Sequence, residues 1–522
     1  MRSFAPLATF LLLFTIIGCT IDLTPASCSI ISYEINDNEG RLVVDVTLNI
    51  TGLIQIELKS PDGNILDTRS LYTGFYSIAL NLTEYHQNPA PGMYSIVAKD
   101  DGGEILAEKV FSVDSPSIEV LELDPTWWRV GEDVFSLIEI SVKLRNSGSI
   151  PVYIDSINLN LNGMNSSKNS SEAKLFNDTL LPGTISTIGA NVYIPSVSEG
   201  NISAHIEVLD FSGGIISSGD FQVAPYSDTS VDKYSKSWRF EGKRYTITIP
   251  LPEGLYRYCH AMERPIIEDY SFYAIEPKVS NYIDFLADRL LAVYKGKDII
   301  DFVAAFVQNI NYQSEEGEYP KFPIELLYDG YGDCEDKAIL ASAILYHIGY
   351  DVALIRFEDH MAVGVHLDDI SYADKTYYVD DEGKRYIFLE TSNKGWELGE
   401  AATEYRNANN YTIYHVESKP ILIQDCEPPL IYDTGIERYI TVSTTVKNIG
   451  TADAYGVAVE VVLLPDDGDE LSVGKSFDFT VKAQSLKSIN FRVDVPSISF
   501  KNFSVRVIYR NRTCAKSDFY KP

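Results

Sequence analysis

Over most of the chain apolar and polar residues alternate at every second position, in short runs separated by turn formers. Arg41-Leu42-Val43-Val44-Asp45-Val46-Thr47-Leu48 and Ile54-Gln55-Ile56-Glu57-Leu58 have the two-residue period of a half-buried strand. Ser60-Pro61-Asp62-Gly63 reads as a tight turn, and Met93-Tyr94-Ser95-Ile96-Val97-Ala98 before Asp100-Asp101-Gly102-Gly103 reads as a strand entering a hairpin. Strands at this spacing, without helical periods between them, predict a β-sandwich over residues 19–115. A second is predicted over 116–226 and a last over 421–522. These two share a pattern: a strand ending in an Asn-x-Gly turn (Arg145-Asn146-Ser147-Gly148; Lys447-Asn448-Ile449-Gly450), then a strand ending in Val-Tyr-Ile-Pro or Val-Asp-Val-Pro.

Between 227 and 420 the period changes. Tyr282, Phe285, Leu286, Leu290 and Val293 fall at helical spacing, as do Ile299, Phe302, Val303, Phe306, Val307 and Ile310. A third helix is predicted from Cys334, with Ile339, Leu340, Ala343, Ile344 and Ile348 on its apolar face and Gly349 as its stop. Residues 352–355, 360–366, 376–379 and 386–390 then read as strands of an antiparallel sheet. This α+β segment is unlike its flanks.

The chain has 522 residues, too many for one core. Its 43 basic and 74 acidic side chains give a formal charge of −31. Nucleic acid and anionic lipid surfaces both demand a basic face, and the composition supplies none. With 45% apolar residues and 22% charged, the chain is too rich in core formers to be disordered.

Met1-Arg2 and the apolar run Phe4–Ile17 read as an export signal over residues 1–18, too short to span a bilayer. Ile16-Ile17-Gly18-Cys19 resembles a lipobox, which implies cleavage after Gly18, lipid on Cys19, and a chain tethered at the extracellular face of the membrane through that lipid alone. Nine Asn-x-Ser/Thr sequons, at Asn49, Asn81, Asn165, Asn169, Asn177, Asn201, Asn410, Asn502 and Asn511, fit a glycosylated exported protein. In that setting Cys426 and Cys514, which bracket the last β-rich segment, are candidates for a disulfide. Cys28 and Cys259 could also pair, or Cys259 could be a buried thiol. The acidic turn Asp466–Glu470 lacks the spacing of a calcium loop and reads as a solvated hairpin tip.

One constellation carries chemistry. Gly332-Asp333-Cys334-Glu335-Asp336-Lys337-Ala338 sets a thiol at a helix N-terminus, where the unpaired amides and the dipole favour thiolate. Asp333 and Asp336 read as caps of that helix. His360 opens the second predicted strand and Glu390 closes the fourth, so imidazole and carboxylate could meet at one edge beside the thiol, as nucleophilic acyl chemistry requires. Asp380 is a rival third member and His366 a rival base. Gln308, on the second predicted helix, is a candidate oxyanion donor beside the Cys334 backbone N–H. His360, His366 and Glu390 do not fit the usual zinc spacings, so no metal is expected.

Gly-Asp-Cys-Glu-Asp-Lys-Ala at 332–338, His-Met-Ala-Val-Gly-Val at 360–365, and Tyr-Ile-Phe-Leu-Glu-Thr-Ser at 386–392 followed by Gly395-Trp396 resemble the transglutaminase-like superfamily, in its exported prokaryotic branch. The resemblance implies a papain-like α+β domain with Cys334 as nucleophile, His360 as general base and acid, and Glu390 where the family usually has aspartate. It further implies a thioester intermediate on a protein or peptide substrate, resolved by water in a peptidase or amidase or by an amine in a cross-linking transferase, and no cofactor. The flanking segments resemble immunoglobulin-like adhesion-type sandwiches, which implies possible cell-surface protein partners. A non-catalytic adhesion or structural protein is the alternative from another class.

Overall fold

The computed structural model describes residues 25–521 apart from 39, 163–167, 227–229, 315–316, 369–373, 407, 434–437, 466–468 and 497. The export signal, Cys19, Asn165 and most of the acidic turn at 466–470 lie outside the described residues. Among the described residues no helix is long and apolar enough to cross a membrane, and the chain is mostly β.

The chain divides into two compact units. The described residues of the first are 25–36, 43–82 and 90–113. Its strands form two sheets, one ordered Ser27–Asn38, Arg41–Thr51, Gly74–Asn81 and the other Ile65–Leu71, Ile54–Lys59, Gly92–Lys99, Ile105–Val113. Alternation decides what is buried: Val44, Val46 and Leu48 on one sheet and Ile56, Leu58, Ile96 and Ala98 on the other have no exposed surface.

The second unit holds residues 37–42, 83–89 and everything from Asp114 onward. It opens with a β-sandwich. A three-stranded sheet (Ile185–Ser198, Val134–Asn146, Ile118–Gly131) and a four-stranded sheet (Ser170–Lys174, Ser156–Asn162, Ile202–Leu209, Ile215–Val223) bury one shared core that includes Val142, Leu144, Leu159, Ile206 and Ile188. The unit closes with another sandwich, in which Arg438–Asn448 and Ala454–Pro465 are the central strands of facing sheets around Ile440, Val446, Val459, Val461 and Val505.

The Asn-x-Gly pattern shared by these two sandwiches has a common physical basis. Asn146 and Asn448 are both fully buried at the end of a central strand. Asn146 Nδ2 donates to the carbonyls of Ile150 (2.8 Å) and Leu180 (2.9 Å), and its Oδ1 accepts the Gly148 N–H at 2.9 Å. Asn448 repeats this with Ala452 (2.8 Å), Val481 (3.2 Å) and the Gly450 N–H (3.1 Å), and also accepts the Ile421 N–H at 3.1 Å. One buried amide thus satisfies turn and strand groups that no ladder reaches.

Between the sandwiches lies the α+β segment. The hairpin Asp232–Phe240 with Lys243–Leu251 precedes the helices Glu253–Ala261, Ser271–Ile275, Pro277–Val293, Ile299–Gln308, Pro323–Asp329 and Cys334–Ile348. Five strands follow in an antiparallel sheet ordered Tyr377–Val379, Arg385–Leu389, Met361–Val365, Val352–Arg356, Thr412–His415. The edge strand Thr412–His415 was not evident in the sequence pattern. The helix Cys334–Ile348 is central: every residue from Asp336 to Leu345 is buried, because other helices cover one side and the sheet covers the other.

Replacing Asn448 with Leu removes one side chain and strands two carbonyls and two N–H groups in the core. We expect a loss of about 3 kcal/mol, read as a lower denaturant midpoint of the transition reporting the last sandwich. The exposed Asn490→Leu should change stability by less than about 0.5 kcal/mol.

Candidate active site

The central helix begins where local chemistry allows no other start. Gly332 lies so close to the helix that a Cβ there would meet Asp336 Oδ2 at 2.5 Å and Leu326 Cδ1 at 2.6 Å. Asp333 is the N-cap in extended conformation, and Asp336 completes a capping box by accepting the Asp333 N–H at 3.3 Å. The other Asp336 oxygen takes the Lys321 N–H at 2.7 Å. Both carboxyls cap the helix, as their position in the sequence suggests. At the far end Gly349, with φ of 105°, stops the helix.

Cys334 is therefore the first helical residue, and the sheet brings the other two groups to it. The strand pairing sets Val363 against Leu389. Continuing that register by one step sets Glu390 across from Ala362, two residues from His360 and on the same face. His360 Nε2 and Glu390 Oε2 are 3.1 Å apart, and both side chains are nearly buried. Nε2 is committed to Glu390, so Nδ1 is the ring nitrogen left for the thiol. The ring is fixed by stacking on Tyr405 at 4.8 Å, and the Phe357 N–H bonds to the His360 carbonyl at 2.8 Å. The backbone N–H of Met361, the next residue, faces the Cys334 sulfur. Adjacent Cα atoms are about 3.8 Å apart, so the imidazole is rooted beside the thiol.

Glu390 is built as an anion. Burial raises its pKa, but the bonds from His360 and from the backbone N–H groups of Ser392 and Asn393 outweigh burial and hold it below its ordinary value. The Ser392 N–H reaches Oε1 at 2.7 Å. Glutamate thus occupies the imidazole-holding position with hydrogen bonds on both oxygens.

The thiol departs from expectation. Burial pushes its pKa up, and the Glu335 carboxylate, 3.2 Å from Sγ, pushes it further; the Met361 N–H opposes them and does not prevail. No hydrogen bond joins Cys334 to His360. Asp333 is also pushed up, to about 8, by burial and by the Asp336 and Glu335 charges. The resting site holds a protonated thiol directed at Glu335, not the thiolate expected from the helix terminus alone.

Gln308, the candidate oxyanion donor, has its amide committed to backbone groups. It is buried, its Nε2 donates to the carbonyls of Glu390 and Trp396, both at 2.9 Å, and its Oε1 accepts the Gly395 N–H at 3.0 Å. Both amide hydrogens are spent on bracing the loop that carries Glu390. The rival groups also lie elsewhere. Asp380 is 3.1 Å from His415 Nε2, and His366 Nδ1 bonds the Arg385 carbonyl at 2.8 Å with Asp368 3.5 Å from Nε2. Cys426 and Cys514 are unpaired thiols, with Cys426 Sγ turned toward the Glu427 and Ser443 carbonyls and Cys514 Sγ toward that of Arg512, so no disulfide joins them. Cys28 and Cys259 are likewise unpaired, Cys259 fully buried. Among the described residues no group of three or more His, Cys, Asp or Glu could hold a metal ion.

Two site residues carried no assignment from the sequence. Lys337 is fully buried below the helix start, where Nζ donates to the carbonyls of Ser392 (2.9 Å), Ile310 (3.0 Å) and Gln308 (3.4 Å). Burial lowers its pKa to about 8, against the pull of Glu390. It ties the helix to the segment following Glu390. Tyr312, more than half exposed, pairs with Gly332 in a short parallel bridge. Partial burial raises its pKa, as does the negative charge of the carboxylates beside it, Glu335 and Glu390. Helical or strand periodicity marks neither residue, since one is a charge on a buried helix and the other lies in a two-residue strand.

No family model and no curated protein matches the sequence. Among solved structures, a transglutaminase of red sea bream is 11% identical, covering 73% of this chain and 79% of that one at a TM-score of 0.14. An exo-chitosanase of Amycolatopsis orientalis is 9% identical over 92% of this chain and 76% of that one at 0.15, and the YadV chaperone is 11% identical over 38% and 99% at 0.14. TM-scores this low carry no argument, and the chemistry rests on the site's own geometry.

Because Glu390 is held below its ordinary pKa of 4.5 when folded, its stabilising contribution is complete above that value and lost as the pH falls through the lower folded one. Glu390→Gln should cost about 2 kcal/mol at pH 7. The gap to the native chain should narrow as unfolding is measured toward pH 3.

Proposed function

We propose that the chain is a cysteine acyl-transfer enzyme of transglutaminase-like type, with a papain-like catalytic segment, that hydrolyses amide bonds of proteins or peptides. The observation that carries the reading is the His360–Glu390 contact at 3.1 Å at the sheet end, with the next residue's N–H on the Cys334 sulfur. The three groups come from segments 26 and 30 residues apart, and their convergence is what nucleophilic chemistry needs. The apolar run Phe4–Ile17 and the lipobox-like Ile16–Cys19 support a reading in which this activity is exported and tethered by lipid on Cys19, with the flanking sandwiches open to protein partners.

The thiol proton passes from Sγ to His360 Nδ1, while Glu390 holds the ring through Nε2 and stabilises the imidazolium. Sulfur attacks the amide carbonyl carbon. The oxyanion takes the Cys334 backbone N–H, one of the first-turn donors that no helix satisfies internally. His360 returns its proton to the leaving amine as the C–N bond breaks, giving a thioester. Water, deprotonated by His360, then releases the acid and restores the thiol.

Cys334→Ala should leave the unfolding midpoint within about 0.5 kcal/mol of the native chain and abolish release of amine from peptide libraries. His360→Ala should slow iodoacetamide alkylation of Cys334 at pH 7 by about tenfold or more. Turnover retained in the cysteine variant excludes covalent catalysis, and equal alkylation of the histidine variant excludes the base.

A further inference from the structure

The geometry points to Glu335 as a positioning residue that latches Cys334 in a protonated, resting orientation, so that the thiol must leave this carboxylate before His360 can take its proton. The inference rests on the nucleophile reading of Cys334 and adds a residue to it.

The observations are local and concordant. The S–H of Cys334 donates to Glu335 Oε2 at 3.2 Å, while no hydrogen bond connects the sulfur to His360. Among the described residues His360 Nδ1 makes no hydrogen bond, while Nε2 is held by Glu390, so the thiol's one side-chain partner is Glu335. Glu335 is half-buried on the first helical turn, with Oε2 turned toward the sulfur as acceptor. The groups facing the sulfur are Asp333 and Glu335 on its own element, Tyr312 from the preceding bridge, and the Met361 N–H next to His360 on the sheet. The Met361 N–H alone among these favours thiolate, and burial together with Glu335 outweighs it. The capping box at the helix start is formed by Asp333 and Asp336 without Glu335, whose interaction with the thiol is therefore not a capping requirement.

Release is a rotation with one proton transfer. The S–H···O hydrogen bond to Glu335 is exchanged for one to His360 Nδ1; the S–H bond then breaks and the N–H bond forms, leaving thiolate and imidazolium. No other reactant is consumed.

The test is the pH–rate profile of iodoacetamide alkylation of Cys334 in the full chain, with unfolding midpoints measured in parallel. Glu335→Gln should speed alkylation at pH 7 about tenfold, the equivalent of one pH unit in thiolate fraction. Glu335→Asp separates latch from charge: it keeps the carboxylate but retracts it by one methylene, and should speed alkylation by about threefold. If Glu335→Asp matches the native chain, the carboxylate acts only as a distant charge and the latch is overturned; a Glu335→Gln rate equal to or below the native one overturns it outright. Alkylation of His360→Ala at the native rate would instead remove the base while leaving the Glu335 result readable, so the two failures are distinguishable.

Discussion

A buried helix that begins at a reactive side chain can be placed in only one way, and the rest of the α+β segment follows from that placement. Every residue of Asp336–Leu345 is out of solvent, so the helix needs cover on all sides, and only its two ends reach the surface, the first at Cys334 and Glu335. Its unpaired N–H groups must then be met at that surface. Asp333 and Asp336 meet some of them, Gly332 leaves room for the close approach, and Lys337 one turn below fastens the helix to the loop after Glu390. Gln308 clamps the same loop from another helix. The contact between His360 and Glu390 is thus held from both sides by buried polar groups that do no chemistry themselves.

Periodicity made much of this legible. The two-residue alternation of Arg41–Thr51 and Arg438–Asn448 and the helical spacing from Tyr282 to Val293 mark elements that the structure contains, because burial of one face dictates both sequence and conformation there. The shared Asn-x-Gly turn was visible as a pattern, and its cause, a buried amide serving two distant segments, was not. Asn448 and Val481 are 33 residues apart, and the sequence cannot show that such a pair meets. The same limit applies to Gln308. As a polar residue on an apolar helix it looked available for chemistry, but its partners are backbone carbonyls of a loop more than 80 residues away. Thr412–His415 is too short for alternation to reveal and forms by pairing with Val352–Arg356.

The thiol shows why a local electrostatic rule is insufficient. A helix N-terminus favours negative charge, and from the sequence that benefit falls to Cys334. In the folded protein the thiol is drawn out of water, and burial raises its pKa before any neighbouring charge acts. Once ionised, Glu335 opposes a second negative charge 3.2 Å away, in a site with little water to screen it. A thiol buried beside a carboxylate therefore does not rest as thiolate at the helix's first residue. The cost of ionising the sulfur has to be met during the reaction by His360, which explains why the imidazole is so firmly held by Glu390 and Tyr405. A base that must extract a proton from a poorly acidic thiol needs an anionic partner to hold the ring and face the imidazolium that results. Glu390, hydrogen-bonded on both oxygens and kept ionised against burial, is suited to that task.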